Sequence, residues 1–139
     1  MKRLMIVADH SFVVQAIRLA LRQTAGFQVV GSLDGRGPIS PQLLELRPEV
    51  VIVDDMEDAD DALDRLREVG EVTPHATAPL LTMRRDQAWI DRAFEAGAQT
   101  VLSKTAHPVA LGMLLRAATR RSGSRTGCEP AHRRLGGLG

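Results

Sequence analysis

The sequence has little of three features that would assign a chain to a broad class: cysteine, long apolar runs and net charge. Its single cysteine, Cys128, excludes an internal disulfide and a cysteine-rich metal site and fits a reducing compartment. No segment approaches the roughly 20 apolar residues that a membrane-spanning helix needs. The 18 Lys and Arg residues nearly balance the 17 Asp and Glu residues, so composition favours neither nucleic acid nor an anionic membrane as partner. We expect a cytoplasmic protein that does not bind membranes.

The length and composition indicate one folded domain and a short tail. A chain of 139 residues with 44% hydrophobic residues can bury one core. We expect the domain to span residues 1–120. Residues 121–139 are rich in Gly, Ser and Arg and have little to bury, so we expect a disordered basic tail there.

Apolar runs and amphipathic segments alternate along the first 120 residues. The clearest run is Val50 to Val53, four β-branched residues that lead directly into Asp54 and are typical of a strand covered on both faces. Patterning predicts five strands, near residues 4–8, 27–30, 50–53, 80–82 and 100–102. It predicts five helices, near residues 9–24, 41–47 with Ser40 as the N-cap, 59–69, 86–96 and 107–120. This alternation indicates a parallel sheet with helices on both faces.

Four of the predicted strands end in residues with related chemistry. Strand 1 ends at Asp9 and strand 3 at Asp54 with Asp55, while strands 4 and 5 end at Thr82 and Lys104. Carboxyl ends of parallel strands share one edge of a sheet, where open α/β folds bind ligands. Carboxylates can attack phosphorus and bind Mg²⁺, an ammonium group neutralises phosphoryl charge, and a hydroxyl can hydrogen-bond phosphoryl oxygens. The residue types therefore indicate a phosphoryl-transfer site. No glycine-rich nucleotide loop follows strand 1, which argues against a nucleotide-binding metabolic enzyme on the same fold.

Several stretches resemble the receiver domain of bacterial two-component response regulators, particularly the family that carries a C-terminal helix-turn-helix. They are residues 6–10 (IVADH), 48–54 (PEVVIVD), 81–83 (LTM), 96–98 (AGA) and 102–104 (LSK). The resemblance covers roughly residues 2–120. It implies a flavodoxin-like (CheY-like) fold: a doubly wound, five-stranded parallel sheet with strand order 2-1-3-4-5 and helices on both faces.

The same resemblance implies a role for each residue at the strand ends. Asp54 would accept a phosphoryl group from a sensor histidine kinase, Thr82 would be the switch hydroxyl, and Lys104 would contact the phosphoryl group. Mg²⁺ would be bound by Asp9, Asp54 and the backbone carbonyl of Met56. The chain would then be a phosphoacceptor and not an enzyme, apart from slow autodephosphorylation. Phosphorylation would shift a surface formed by helix 4, strand 5 and helix 5, which binds a downstream protein or a second copy.

The sequence departs from the receiver pattern at three places near this site. The family has two consecutive acidic residues after strand 1, and Ala8 replaces the first, which should weaken Mg²⁺ binding because fewer anionic oxygens are present. Val101 replaces the aromatic residue that often reports the switch in strand 5. Residues 55–58, Asp-Met-Glu-Asp, replace the usual Met-Pro and add negative charge beside the site.

Two alternative functions follow from these departures. The first is an atypical receiver that acts without phosphorylation as an interaction or dimerisation module. A possible homodimer is indicated by helix 5, which is apolar around more of its circumference than one core face requires, at Leu111, Met113, Leu114 and Leu115. The second is the receiver part of a transcriptional regulator without its DNA-binding domain, since no helix-turn-helix follows helix 5. If the chain is the whole protein, its output must come from the receiver surface or the tail.

Each site residue also has a simpler interpretation. The acidic cluster of Asp55, Glu57, Asp58, Asp60 and Asp61 is typical of a helix N-terminus, with Asp58 as the N-cap of helix 3. On the same basis, Asp54 would be a solvated carboxylate, Thr82 a strand-end hydroxyl, and Lys104 a counter-charge for local acidity.

Overall fold

Strands and helices alternate along residues 1–104 and 107–124, the part of the chain that the computed structural model describes; side chains are described as far as residue 119. The strands are β1 (Lys2–Ala8), β2 (Phe27–Asp34), β3 (Val50–Asp54), β4 (Pro79–Thr82) and β5 (Thr100–Ser103). The helices are α1 (Ser11–Arg22), α2 (Ser40–Leu46), α3 (Ala59–Val72), α4 (Gln87–Ala96) and α5 (Pro108–Ser124). The predicted alternation of the two element types is confirmed.

The five strands form one parallel sheet in the order β2-β1-β3-β4-β5, which confirms the flavodoxin-like topology. β3 lies at its centre, and all five of its residues are buried. Alternate residues of β3 enter two separate cores. Val51 and Val53 pack in a core with α2, α3 and α4, whereas Val50 and Ile52 pack in a core with α1 and α5. Both faces of the sheet are therefore covered, as the continuous apolar run predicts.

Two local predictions are wrong at the second strand and second helix. β2 does not end at Gly31 but continues to Asp34, because a register shift between Leu4 and Met5 lets its second half pair with the end of β1. Ser40 is not the N-cap of α2. It is the first helical residue, and its hydroxyl donates a hydrogen bond to the Glu68 carboxylate instead.

Helix ends account for the other differences. α3 continues through Gly70 to Val72, and α5 continues past Arg120 to Ser124. The predicted tail, residues 121–139, therefore begins inside a helix, and the rest of it lies outside the described residues, as does Cys128.

A buried ion pair attaches the loop before α2 to the side of α3. Arg65 Nε lies 2.9 Å from Glu68 Oε1, and both side chains are about 10% exposed (11% and 10%). The second carboxylate oxygen of Glu68 accepts a hydrogen bond from the Ile39 N–H at 2.8 Å, and Arg65 Nη1 donates to the Gly35 carbonyl at 3.2 Å. The Glu68 carboxylate therefore accepts hydrogen bonds at the start of α2, where Ser40 was predicted to be the N-cap.

Replacing Glu68 by Gln should lower the free energy of unfolding by about 2–3 kcal/mol, because it leaves a buried guanidinium group without its counter-charge. Urea unfolding followed by circular dichroism measures this change.

Asp64→Asn is the matched control, since Asp64 pairs with Arg67 on the same helix with side chains 57% and 50% exposed. An exposed pair contributes little, so this variant should unfold almost like the native chain. Equal losses from both variants would contradict the role assigned to the buried pair.

Candidate functional site

The sheet brings four of the predicted site residues to one edge. Asp54 and Thr82 are the last residues of the neighbouring strands β3 and β4, and Asp9 and Lys104 directly follow β1 and β5. β3 lies between β1 and β4, so Asp54 stands at the centre of this group. Chain connectivity reverses direction between β1 and β3, which is where folds of this type bind ligands.

Asp54 is a buried carboxylate with a cationic partner. Its side chain is 1% exposed, and its Oδ1 atom lies 2.8 Å from Lys104 Nζ. Its Oδ2 atom accepts a hydrogen bond from the Met56 N–H at 2.9 Å. Burial raises the pKa of Asp54; the contacts with Lys104 and Met56 oppose this rise, and the charge of Asp55 adds to it. Burial thus disfavours the ionised form of Asp54, and the Lys104 ammonium group partly offsets this effect.

Met56 lies in a tight turn after β3 and adopts the left-handed backbone conformation, with φ of 57°. This conformation points its N–H at Asp54. Its side chain is buried in the core and faces Gly35, where an added Cβ atom would lie 2.6 Å from Met56 Sδ and 2.7 Å from Val7 Cγ1. A side chain at position 35 would therefore require Met56 and Val7 to shift beside the turn that positions Asp54.

Asp55 is the site residue whose role the sequence did not reveal. It is buried, with 6% exposure, and does not decorate the start of α3. Its Oδ2 atom accepts hydrogen bonds from the Thr82 hydroxyl at 2.6 Å and the Met83 N–H at 3.0 Å, and its Oδ1 atom lies 2.5 Å from Lys104 Nζ. The helix-terminus interpretation is confirmed for Asp58, which is the N-cap of α3 and accepts from the Asp60 N–H at 2.9 Å, and for Asp60 and Asp61, which lie in the first turn of the helix.

Lys104 lies between the two buried carboxylates. Burial would lower the pKa of its ammonium group, but the hydrogen bonds to Asp54 and Asp55 raise it above its ordinary value. The ammonium group is therefore charged and links β5 to the end of β3. Lys104 is the counter-charge of the two carboxylates, and its position is compatible with the predicted contact to a phosphoryl group.

Asp9 directly follows β1, the strand next to β3. Its Oδ2 atom accepts a hydrogen bond from the Glu57 N–H at 2.9 Å, which ties the end of β1 to the loop before α3. It lines an open cleft of about 550 Å³. The cleft is lined by charges of both signs: three arginines, Arg36, Arg84 and Arg92, and four acidic residues besides Asp9, which are Glu57, Asp58, Asp60 and Asp61.

The predicted Mg²⁺ ligands are all oxygens, the donors that this hard cation prefers. Asp9 and Asp54 would supply carboxylates and Met56 a carbonyl, so the donor chemistry fits. Ala8 is buried at the end of β1 and supplies no third carboxylate. Among residues 1–104 and 107–124, no three His, Cys, Asp or Glu side chains are already grouped to hold a metal. The residues present can hold Mg²⁺ only with few anionic ligands.

Replacing Lys104 by Gln should lower the free energy of unfolding by about 2–3 kcal/mol, because two adjacent buried carboxylates lose their shared cation. Urea unfolding of the two proteins measures the loss.

The double variant Asp54→Asn/Lys104→Gln should recover most of that stability, since one of the two buried charges is then gone. A double variant no more stable than Lys104→Gln would show that charge pairing is not what Lys104 contributes to the fold.

Sequence comparison finds relatives for most of the chain, although no family model matches it. The chain is 34% identical over 103 residues to the protein-glutamate methylesterase/protein-glutamine glutaminase 2 of Cereibacter sphaeroides, a match that covers 73% of this chain and 28% of that enzyme. The chain thus spans little more than a quarter of the length of this curated relative. The activities in that name are therefore not transferred to this chain.

Two further matches cover most of the matched protein as well as most of this chain. The chemotaxis protein CheY of Thermotoga maritima is 25% identical over 107 residues, which are 77% of this chain and 88% of CheY. The crystal structure of a two-component response regulator of the LuxR family from Aurantimonas superposes with a TM-score of 0.76 at 25% identity and covers 86% of each chain. The strand order, the acidic strand ends and these similarities agree with one another, and the chain is a response regulator receiver domain.

Proposed function

We propose that this receiver domain accepts a phosphoryl group on Asp54 from a sensor histidine kinase. The observation that carries this proposal is the buried Asp54 carboxylate at the end of the central strand, 2.8 Å from the Lys104 ammonium group. Its other carboxylate oxygen accepts a hydrogen bond from the Met56 N–H, whereas the second oxygen of Asp55 is occupied by the Thr82 hydroxyl and the Met83 N–H. The position of Asp54 matches that expected of an acceptor at the ligand-binding edge of the sheet.

The transfer forms a bond between an Asp54 carboxylate oxygen and phosphorus while the bond between phosphorus and the kinase histidine nitrogen breaks. The histidine leaves as neutral imidazole after it gains a proton. Lys104 neutralises charge on the transferred group, and the Met56 N–H orients the attacking carboxylate. Asp9, Asp54 and the Met56 carbonyl would hold Mg²⁺, which when bound neutralises phosphoryl charge.

The partner surface of the phosphorylated domain is formed by α4, β5 and α5. β5 is an edge strand, and these helices expose four large apolar side chains: Phe94, Val109, Met113 and Leu114. Leu111 and Leu115 are buried on the opposite side of α5, so the helix has an apolar surface beyond its core face. A downstream protein or a second copy of the domain would bind there, in the cytoplasm.

No helix in the described part of the chain combines the length and the apolar character needed to cross a membrane.

A phosphorylation-independent interaction module is the second candidate, and one observation favours it. Ala8 leaves the end of β1 with a single carboxylate, Asp9, so the metal that would neutralise a phosphoryl group is held by few anionic ligands.

Incubation with acetyl phosphate and Mg²⁺ should add one phosphoryl group to the native chain and none to Asp54→Asn, because the amide cannot act as the acceptor. Intact-mass spectrometry detects the adduct, and chelation of Mg²⁺ should prevent it. A native chain that shows no adduct at any Mg²⁺ concentration favours the second candidate.

Ala8→Asp should raise Mg²⁺ affinity about tenfold, because it restores a third carboxylate at the end of β1. Isothermal titration with MgCl₂ measures the affinity, and circular dichroism checks that the variant is folded. Ala8→Asn matches the added volume without the charge and should leave the affinity close to that of the native chain. An equal gain in both variants would contradict the electrostatic explanation.

A further inference from the structure

Three hydrogen-bond donors converge on the carboxylate of Asp55. The Thr82 hydroxyl and the Met83 N–H contact one oxygen at 2.6 and 3.0 Å, and Lys104 Nζ contacts the other at 2.5 Å. Asp54 shares only the last of these three donors. A buried carboxylate with three donors, one of them cationic, is a tightly held anion.

The Thr82 hydroxyl takes part in two hydrogen bonds, one as donor and one as acceptor. The Thr82 oxygen accepts a hydrogen bond from the Arg84 N–H at 2.9 Å. A hydroxyl has one proton to donate, and here that proton points to Asp55. Thr82 cannot donate to another anion unless it releases Asp55.

The backbone holds Asp55 in this position as well. Its N–H donates to the Leu81 carbonyl at 2.9 Å, so the chain directly after β3 still pairs with β4. Asp55 and Thr82 are thus held side by side at the ends of β3 and β4 by backbone pairing.

We infer that Asp55 is the resident anion of the subsite formed by Thr82, Met83 and Lys104, and that a phosphoryl group on Asp54 must displace it. The inference rests on the proposed function of Asp54 for the identity of the competing group. A phosphorylated Asp54 carries oxygens that need the same kind of donors, and the contacts beside it are already taken by a carboxylate. Asp55 therefore lowers phosphoryl occupancy and keeps the Thr82 hydroxyl engaged in the unphosphorylated protein.

The experiment compares adduct formation on Asp54 in the native chain, in Asp55→Asn and in Asp55→Leu, with acetyl phosphate, Mg²⁺ and intact-mass detection. Asp55→Leu removes all three contacts, and the rate of labelling should rise at least about tenfold, the value of one hydrogen bond to a charged group. Asp55→Asn retains an acceptor but loses the ion pair, so its rate should lie between the other two.

Asp60→Asn is the control for charge alone. It removes the same charge from a side chain that is 76% exposed and contacts Arg92 at 3.7 Å, and it leaves the subsite intact. Its labelling rate should stay within about twofold of the native rate. Equal rates in the native chain and Asp55→Leu would overturn the inference, as would an adduct that survives Asp54→Asn and is lost in Asp55→Asn.

A second measurement separates this inference from the proposed function. If no variant forms an adduct, the proposed function fails, and the subsite is then tested with inorganic phosphate. The Met83 amide resonance of Asp55→Leu should shift saturably as phosphate is added, while that of the native chain should not. Identical titrations of the two proteins would overturn the inference.

Discussion

One ammonium group shared by two buried carboxylates is the interaction on which this end of the molecule depends. Lys104 follows β5, which is separated from β3 by β4. Its ammonium group contacts Asp54 and Asp55 across the end of β4. Two adjacent anions would not stay buried at the same strand end without a cation, since unpaired charge is expensive away from water. The ammonium group therefore joins the ends of β3 and β5, and Asp55 adds the end of β4 through the Thr82 hydroxyl.

The register of the central strands makes this possible. Asp54 pairs with Leu81, so β4 ends one residue beyond the partner of Asp54. Thr82 pairs with Ser103, so β4 and β5 end level with each other. Side chains at these ends are adjacent without any insertion or long loop. The chemistry of the site is thus a consequence of where the strands stop.

Much of the fold could be predicted because its signals are local. The apolar run at Val50 and the turn residues between segments predict alternating elements, and alternation predicts the parallel sheet. The predictions failed where a distant residue decides the outcome. Ser40 looked like an N-cap, but Glu68, 28 positions away, satisfies the start of α2. β2 continued past Gly31 because β1 offered it a shifted partner.

In the site, too, positions set by local signals could be predicted, and contacts between distant side chains could not. Asp9, Asp54, Thr82 and Lys104 could be placed from sequence because each ends or follows a strand. Asp55 also follows a strand, yet its neighbours in the chain, Glu57 and Asp58, made it resemble helix-terminal acidity. Which of two adjacent carboxylates takes the Thr82 hydroxyl depends on side-chain distances of less than 3 Å, and spacing along the chain carries no information about them.

The close approach of Gly35 to Met56 has a consequence for how the sequence can vary. A methyl group at position 35 would press on the sulfur of Met56 and on Val7, so positions 35 and 56, 21 residues apart, cannot change independently. In natural variants of this domain, a side chain at position 35 should be accompanied by a smaller residue at position 56 and by room at position 7. Pairwise covariation of this kind would identify the turn beside Asp54 without any structure, from a pair in which neither member is titratable.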